Sequence, residues 1–251
     1  MIYFVGAGPG AVDLITVRGQ KLLEKADLII YAGSLVNPEL LQFAKEGCRI
    51  CNSASMTLED VLQEMEQAEA AGRMTVRLHT GDPSLYGAIR EQMDALDQRH
   101  IAYTYVPGVS SFSAAAAAVR KEYTLPGISQ SVIITRMEGR TPVPDGQRIA
   151  DYAAHHATMV IFLSTGLLDK LQDELIRGGY AEDTPAAIVY KASWQDERVC
   201  PCTVATLAET AAAAGITRTA LILVGDFLDG SYDRSKLYDP SFTHGFRKAS
   251  Q

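Results

Sequence analysis

The sequence predicts an α/β protein, built as two α/β domains with a ligand cleft between them. Short apolar runs typical of strands alternate with stretches in which apolar residues recur at helical spacing. Loops that contain glycine follow several of these runs, and this order of strand, loop and helix is typical of a parallel sheet covered by helices. The 251 residues, 47% of them hydrophobic, are enough for two domains of modest size.

The first domain is predicted to span residues 1–112. Its strands are expected at 2–5, 27–31, 74–78 and 103–106, and its helices at 16–25, 38–46, 57–71 and 86–99. The helix at 57–71 has clear signals, because Thr57 can cap its first turn, Asp60 follows three residues later and Gly72 ends it. The repeated order of elements predicts a parallel sheet.

The second domain is predicted to span residues 113–251. An alanine-rich helix at 112–120 leads into it, and consecutive alanines give that helix strong propensity. Strands are expected at 131–135, 158–163, 186–190, 199–203 and 220–224, with helices at 149–155, 167–177 and 204–214. A loop rich in Arg, Pro and Gly occupies 136–146, and a polar, irregular tail begins at Asp229.

The charge balance narrows the range of partners. The chain has 23 basic and 30 acidic residues, so a broad nucleic-acid surface with clustered Lys and Arg is not expected. No apolar run reaches the ~20 residues that span a bilayer, and the first residues indicate a strand rather than a signal peptide. We expect a cytoplasmic protein without a membrane segment.

Four cysteines form two short pairs, Cys48 with Cys51 and Cys200 with Cys202. A metal site built from both pairs is one interpretation, but no histidine follows at zinc-finger spacing. In an extended segment, side chains three residues apart point to opposite faces. We expect reduced thiols on or near strands, with no metal and, in the cytoplasm, no disulfide.

A glycine loop, Gly6-Ala-Gly-Pro-Gly10, follows the first strand. Its spacing differs from that of a dinucleotide-binding loop, and Pro9 lacks an N–H where a pyrophosphate would need a donor. The second strand also ends without the acidic residue that holds a ribose. The loop is therefore either a tight turn or a place where backbone approaches a ligand with little phosphate.

A second loop, from Thr80 to Tyr86, follows the strand at 74–78. Asp82 stands where this strand meets the next helix, so we expect it to cap the helix at 86–99. The backbone of Thr80, Gly81 and Asp82 can also face a ligand, because ligands of such sheets bind beyond the carboxyl ends of strands. The two roles are compatible.

Several motifs carry a family resemblance. Val5-Gly-Ala-Gly-Pro-Gly10, Thr80-Gly-Asp-Pro83 and Val106-Pro-Gly-Val-Ser-Ser111 together resemble the tetrapyrrole C-methyltransferases that use S-adenosylmethionine. Tyr31-Ala-Gly-Ser-Leu-Val36, Arg77-Leu-His-Thr-Gly-Asp-Pro-Ser-Leu-Tyr86 and Gly139-Arg-Thr-Pro-Val-Pro144 are similar to the precorrin-4 or cobalt-precorrin-4 C-11 methyltransferases. Uroporphyrinogen III methyltransferases have an Asp after the Tyr that ends the second strand, whereas Ala32 follows Tyr31 here.

The resemblance implies two α/β domains with S-adenosylmethionine bound in the cleft between them, S-adenosylhomocysteine as product, a tetrapyrrole substrate and a homodimer. Carried over by position, the donor would be held by Pro9, Thr80, Gly81, Asp82, Leu85, Ser110, Ser111, Leu163, Ala192 and Ala220. The implied substrate has many carboxylates, and arginine suits bidentate pairing with them. The candidate substrate-binding residues are Arg120, Lys121, Arg136 and Arg140, with solvated surface charge as the alternative for each.

Methyl transfer from a sulfonium to an electron-rich carbon chiefly needs alignment, which can lower a barrier by ~7–11 kcal/mol. A nucleophile-and-base triad is therefore not expected, and the catalytic residues are left open. The candidates for an acid or base are His79, Asp82 and Tyr86. For His79, the alternative is a hydrogen bond to loop backbone. Trp194 is a candidate for contact with a macrocycle, with core packing as the alternative.

The resemblance thus implies methyl transfer to C-11 of precorrin-4 or cobalt-precorrin-4 in cobalamin (vitamin B12) biosynthesis. Three alternatives remain: methylation of another precorrin carbon, a non-catalytic domain that holds an adenosyl ligand, and a nicotinamide oxidoreductase. The missing strand-end acid and Pro9 argue against the last of these. The sequence leaves open whether the substrate carries cobalt.

Overall fold

The computed structural model describes residues 1–250, with only the backbone described at Ser34. Contacts divide the chain into two compact units. The first contains Met1–Ala115 and Lys191–Glu197, and the second contains Ala116–Tyr190 and the chain from Arg198 onward. The predicted boundary lay after residue 112, and the sequence pattern did not separate Lys191–Glu197 from its neighbours.

The sheet of the first unit is parallel throughout, as predicted. Its strands are β1 (Ile2–Gly6), β2 (Leu28–Tyr31), β3 (Arg49–Asn52), β4 (Thr75–His79) and β5 (Tyr103–Val106). Their order across the sheet is β3-β2-β4-β1-β5. The strands β1, β4 and β5 are therefore neighbours, and their carboxyl ends lie at one edge.

Two of the four helices of this region begin at a residue whose side chain caps the first turn. They are α1 (Val17–Leu23), α2 (Leu58–Ala70), α3 (Arg90–Gln98) and α4 (Ser111–Val119). Thr16 caps α1 by accepting a hydrogen bond from the Gly19 N–H at 3.0 Å. Thr57 and Asp60 form the predicted capping box of α2, with hydrogen bonds of 3.1 and 2.9 Å.

Apolar side chains bury both faces of the first sheet, as expected for a parallel sheet between helices. Val5 and Leu78 belong to the core on one face, together with Leu23 of α1. Phe4 belongs to the core on the other face, together with Met65 of α2. Neighbouring residues of a strand point to opposite faces of the sheet, and both faces are buried here. The strand β1 is therefore an apolar run instead of alternating apolar and polar residues.

Two elements of the first unit differ in kind from the prediction. Pro38–Phe43 is a 3₁₀ helix rather than an α-helix at 38–46. The strand β3 was not predicted, because it is an edge strand whose residues are mostly exposed and form no apolar run.

The second unit has a mixed five-stranded sheet. Its strands are β6 (Val132–Arg136), β7 (Thr158–Phe162), β8 (Pro185–Tyr190), β9 (Arg198–Thr203) and β10 (Ala220–Val224), in the order β6-β7-β10-β8-β9. The β6–β7 pair is parallel, whereas β10 is antiparallel to β7 and β8, and β9 is antiparallel to β8. The α/β class is confirmed, but periodicity does not report strand direction.

Three helices pack on this second sheet: α5 (Ile149–Ala153), α6 (Leu168–Arg177) and α7 (Leu207–Ala213). The predicted helix at 204–214 is divided, because a 3₁₀ turn at Val204–Thr206 precedes α7. Leu171 and Leu175 of α6 lie in one core with Ile161 of β7 and Ile222 of β10. This packing fixes α6 beside the end of β7.

Within residues 1–250, no helix combines the length and apolar character needed to cross a membrane. Over the same residues, no group of three His, Cys, Asp or Glu side chains is arranged to hold a metal ion. The four cysteines are free thiols; Cys51 lies on β3, and Cys200 and Cys202 lie on β9.

Candidate active site

Three glycine-containing loops meet at the carboxyl edge of the first sheet. They follow β1, β4 and β5, and this edge is where open α/β sheets bind ligands. Most of the predicted donor residues of the first unit lie in these loops or at the start of α4: Pro9, Thr80, Gly81, Asp82, Leu85, Ser110 and Ser111. The structure therefore brings together residues that are far apart in the sequence.

The glycines of these loops allow the backbones to touch one another. A Cβ atom on Gly6 would lie 2.5 Å from Gly108 Cα and 2.7 Å from the carbonyl oxygen of Gly81. A Cβ atom on Gly108 would in turn lie 2.7 Å from Gly6 Cα. Side chains do not fit at such distances, so packing between the loops by itself requires glycine at these positions.

Backbone hydrogen bonds join the first two loops. The Gly81 N–H donates to the carbonyl of Gly8 at 2.8 Å, and the Gly8 N–H donates to the carbonyl of Gly81 at 3.3 Å. Both glycines have positive φ, 81° and 60°, a conformation that glycine adopts readily. These bonds hold the first loop against the second, and an approach of its backbone to a ligand stays a prediction.

Asp82 joins the loop after β4 to the loop after β5. Its Oδ2 accepts the Gly108 N–H at 2.8 Å, and its Oδ1 accepts the Tyr105 hydroxyl at 2.6 Å and the Ser84 N–H at 2.9 Å. Burial acts to raise the pKa of this carboxyl, but hydrogen bonds from Ser84, Tyr105 and Gly108 outweigh burial, so the pKa is lowered. The carboxylate is ionised at neutral pH, and both of its oxygens accept hydrogen bonds from the protein.

The capping role predicted for Asp82 is wrong. The helix α3 begins at Arg90, and its N-cap residue, Ile89, makes no side-chain hydrogen bond. Between the loop and the helix, Tyr86 and Ala88 have φ values of 59° and 49°, which are incompatible with a right-handed helix. Asp82 instead positions two loops.

Thr80 offers a polar group to a ligand. Its hydroxyl Oγ1 is buried and has no hydrogen-bond partner in the described part of the chain. An unsatisfied buried hydroxyl costs ~1–3 kcal/mol, so a ligand that hydrogen-bonds to Thr80 would remove that cost. This orphaned atom, in a loop beyond a parallel strand, fits a site for a bound methyl donor.

The segment Lys191–Glu197 packs beside the first glycine loop. The Nε1–H of Trp194 donates to the carbonyl of Pro9 at 3.0 Å. A Cβ atom on Gly10 would lie 2.8 Å from Cγ of the Trp194 indole, so glycine is required there too. Ala192, a predicted donor contact, is buried in this segment. Trp194 thus supports the loop, and a contact with a macrocycle stays a prediction.

His79 and Arg77 lie inside the fold, 4% and 6% exposed. Burial, with a smaller contribution from Arg77, lowers the pKa of His79 to about 3, and Nε2 has no partner among the described residues. Its ring lies against Phe4, with centroids 6.3 Å apart. Arg77 donates to Gln92 Oε1 at 3.1 Å and to the Ile30 carbonyl at 3.2 Å. A buried imidazole that stays neutral near pH 7 is poorly suited to acid–base catalysis.

Tyr86 has a different environment from the other two acid–base candidates. It is 43% exposed, and its φ of 59° is strained for a bulky residue. Backbone strain of this kind costs ~1–3 kcal/mol and is concentrated at functional sites. A role for Tyr86 stays a prediction.

Three predicted residues of the second unit lie at one edge of its sheet. Arg136 ends β6, Leu163 follows β7, and Ala220 begins β10, which is antiparallel to β7. Ala220 is buried, whereas Leu163 is 63% exposed and has a φ of 53°. A strained backbone that holds an apolar side chain in solvent fits a ligand contact at Leu163.

Arg136 stabilises the loop that follows it. Its guanidinium donates to the carbonyls of Met137 and Thr141, each at 3.2 Å, and to that of Pro142 at 2.7 Å. Arg140 lies in this loop and is exposed. Arg136 is therefore a positioning residue for the loop, and Arg140 is the cation that the loop presents.

The structure does not bring the four predicted substrate-binding residues into one groove. Arg136 and Arg140 line an open groove of the second unit with a volume of about 1150 Å³. Arg120 and Lys121 are exposed after the end of α4 and do not line that groove. Lys170 of α6, which sequence reasoning missed, does line it.

The model of the Tetrapyrrole (Corrin/Porphyrin) Methylases matches residues 1–208. The chain belongs to this family. The family resemblance drawn from the loop motifs is thereby confirmed.

Named relatives of this methylase are similar over nearly their full length. It is 51% identical over 249 residues to a cobalt-precorrin-4 C(11)-methyltransferase of Methanocaldococcus jannaschii, covering 99% of this chain and 96% of that protein. It is 44% identical over 248 residues to a precorrin-4 C(11)-methyltransferase of a Sinorhizobium species, covering 98% of each. The X-ray structure of a cobalt precorrin-4 methyltransferase of cobalamin biosynthesis has a TM-score of 0.89 at 46% identity, covering 91% of this chain and 95% of that one.

Two residues that the structure places beside a candidate loop or groove also have a signal in the sequence. Tyr105 lies near the end of the predicted strand that leads into Pro107 and Gly108, so the sequence places this residue close to that loop. Lys170 lies near the start of the helix that follows a strand, where residues approach the ligand edge of a sheet. The contact between Trp194 and Pro9 joins residues far apart in the sequence, and no local pattern indicates it.

Proposed function

We propose that this methylase transfers a methyl group from S-adenosylmethionine to C-11 of precorrin-4 or cobalt-precorrin-4 in cobalamin biosynthesis. The observation that carries the proposal is the 51% identity over 249 residues to a protein named for that reaction. Relatives named for the cobalt-free substrate are 43–46% identical, against 51% and 47% for two named for cobalt-precorrin-4, so similarity favours cobalt-precorrin-4 as the acceptor.

The donor site of this proposal is built from the loops after β1, β4 and β5. The orphaned Thr80 hydroxyl supports it, because a donor that hydrogen-bonds there would satisfy a buried group. Asp82 holds two of the loops together through the Gly108 N–H, and this keeps the ligand-facing backbone in place before binding.

S-adenosylmethionine supplies a methyl group on a positively charged sulfur: the sulfur–methyl bond breaks while the electron pair of C-11 forms the new carbon–carbon bond, and neutral S-adenosylhomocysteine leaves. The positive charge passes to the macrocycle, which regains its former charge by losing a proton. Asp82 already accepts hydrogen bonds from protein donors, and burial lowers the pKa of His79 to about 3, which makes it a weak base. Neither is therefore suited to accept that proton. The chain contributes by aligning the methyl group of the donor with C-11 of the acceptor.

Calorimetric titration with S-adenosylhomocysteine, with NADH as the control ligand, tests the donor site. We expect one S-adenosylhomocysteine per chain and no binding of NADH. Thr80→Val removes the orphaned hydroxyl and should raise the Kd about fivefold, since a net hydrogen bond contributes ~1 kcal/mol. Thr217→Val, at an exposed position, is the matched control and should leave the Kd unchanged. Binding of NADH instead would contradict the proposal and favour an oxidoreductase.

Two further properties belong to the proposal. We expect the methylase to act in the cytoplasm and to form a homodimer, as the family resemblance implies. Light scattering of the purified protein during gel filtration should give a mass of about two chains, and a mass of one chain would contradict the dimer.

A further inference from the structure

The groove of the second unit carries more positive than negative charge. It lies where β6 and β7 end, between the loop after β6 and the first turns of α6. Five cationic residues line it, against three acidic ones: Arg136, Arg140, Arg148, Lys170 and Arg177 against Glu138, Asp173 and Glu174. The whole chain has the opposite balance, with 30 acidic and 23 basic residues. The groove is thus a local basic surface on an acidic protein.

Three of these cations already have partners within the protein. Arg136 donates to backbone carbonyls of its own loop. Arg177 forms an ion pair with Glu174 one turn away on α6. The Nε atom of Arg148 lies 4.0 Å from Oε2 of Glu138. These contacts account for two of the three acidic side chains as well.

Arg140 and Lys170 are different, because no ion pair or hydrogen bond holds either side chain within residues 1–250. Both are exposed and line the groove from its two sides. The two sides are in contact, since a Cβ atom on Gly139 would lie 3.3 Å from Leu167 Cδ1. Gly139 precedes Arg140, and Leu167 precedes α6, so these cations stand on adjoining segments.

An apolar residue lies in the same groove. Leu163, 63% exposed on a left-handed backbone, lines it together with the cations. A ligand that matches these features has an apolar body and carboxylates at its edge. A tetrapyrrole with acidic side chains has that chemistry, whereas a small inorganic anion would not use Leu163.

We propose that Arg140 and Lys170 bind carboxylate side chains of the tetrapyrrole, with Leu163 in contact with its apolar body. The ligand's identity rests on the proposed function, but the groove's geometry and charge do not. Arg140 was a candidate from the sequence, and Lys170 is assigned by the structure. Arg136 acts through Arg140 by holding the loop.

Binding of a stable tetrapyrrole polycarboxylate tests this assignment without turnover. The probe is uroporphyrin, whose side chains are all carboxylates, and its methyl ester is the uncharged control ligand. Charge-assisted hydrogen bonds are worth ~1.5–3 kcal/mol when sheltered and less in water, so Arg140→Ala with Lys170→Ala should raise the Kd about tenfold or more. Lys170→Arg, which keeps the charge, should bind within about twofold of the unsubstituted protein, well inside the ~1.4 kcal/mol of a tenfold change.

Lys21→Ala on α1 is the matched control, because it removes an exposed cation from the other unit. The double variant should also show a weaker dependence of Kd on salt, since fewer charges pair with the probe. Uroporphyrin binding that is equal in the double variant and in Lys21→Ala would overturn the assignment, as would equal binding of the ester.

Failure of the proposed function is a separate result. If the unsubstituted protein methylates precorrin-4 at a carbon other than C-11, the C-11 assignment fails. The titration with uroporphyrin still tests whether Arg140 and Lys170 bind carboxylates in the groove. If C-11 is methylated, the double variant should have a higher KM for the tetrapyrrole with an unchanged Kd for S-adenosylhomocysteine. An unchanged KM would overturn the role of Arg140 and Lys170 in the reaction.

Discussion

At Asp82, one carboxylate accepts hydrogen bonds from the backbone of Ser84, the hydroxyl of Tyr105 and the backbone of Gly108. These donors come from the loop after β4, from β5 and from the loop after β5. Three hydrogen bonds to a charged acceptor contribute more than the same number between neutral groups. A single residue thus fixes the relative position of two loops of the proposed donor site.

Asp82→Asn should therefore lower both stability and donor affinity. We expect a loss of ~1–2 kcal/mol in the free energy of unfolding at pH 7, because the amide is neutral and the site is only partly buried. The Kd for S-adenosylhomocysteine should rise. Denaturant unfolding and calorimetry measure the two effects, and Asp145→Asn in an exposed loop is the control. A variant as stable as this control would contradict the role of Asp82.

The effect of Asp82 also depends on pH. The folded state lowers the pKa of Asp82 below 3.8, so its stabilising effect is present above that value. The effect is lost as the pH falls through the lower pKa of the folded state. The Asp82→Asn variant and the unsubstituted protein should therefore become more alike in stability below pH 3.8.

Buried His79 makes the fold sensitive to acid over a different range. Its pKa is about 3 in the folded state and ~6.5 when unfolded, so the unfolded state binds a proton first as the pH falls. Stability due to neutral His79 is complete above the unfolded pKa and declines as the pH falls toward the folded pKa. Each pH unit corresponds to ~1.4 kcal/mol, which predicts a loss of ~2 kcal/mol at about pH 5.

Denaturant unfolding between pH 7 and about 4 checks this prediction for His79. The variant His79→Phe, beside Phe4, should lose stability less steeply on acidification than the unsubstituted protein. His100→Asn replaces an exposed histidine whose φ of 54° asparagine tolerates, and it should keep the original slope. Equal slopes for all three proteins would contradict the assignment of a buried neutral His79.

At the scale of elements, the carboxyl edge of the first sheet depends on close backbone packing. Gly108 has no space for a side chain, because a Cβ atom would meet Gly6 Cα at 2.7 Å. The loops after β1 and β5 would have to separate to admit a methyl group. Their separation would also stretch the hydrogen bond between Asp82 and the Gly108 N–H.

Gly108→Ala should therefore destabilise the protein by ~1–3 kcal/mol, the usual cost of overpacking. The donor Kd should rise as well, because the loops of the proposed site are displaced. Gly166→Ala is the control, since a Cβ atom there meets nothing within 4 Å and should leave the melting temperature nearly unchanged. Equal melting temperatures for the two variants would contradict the packing argument.

Local signals predicted most of the elements, and the exceptions have physical causes. Capping residues and apolar periodicity placed α2 and β5 within a residue at each end. The start of α3 was missed because the positive φ values at Tyr86 and Ala88 fall on residues other than glycine, which do not predict that conformation. The strand β3 was missed because its exposed residues carry no burial signal.

At the scale of the whole molecule, the sequence motifs led to the family but not to the geometry of the site. Motifs at the ends of β1, β4 and β5 carried part of the resemblance, and the close approach of their loops requires glycine. The roles of Asp82 and Trp194 depend on contacts between segments that are distant in the sequence, which periodicity cannot report. The two units have separate cores, which explains why the sequence pattern predicts two α/β halves.

The central claim is the position of the transferred methyl group. The most direct measurement incubates the purified protein with cobalt-precorrin-4 or precorrin-4 and S-adenosylmethionine labelled with carbon-13 in the methyl group, and then locates the label by NMR. The account predicts one new labelled methyl group on C-11 and an equal amount of S-adenosylhomocysteine. A label on any other ring carbon, or binding of S-adenosylmethionine with no transfer to either acceptor, would contradict it.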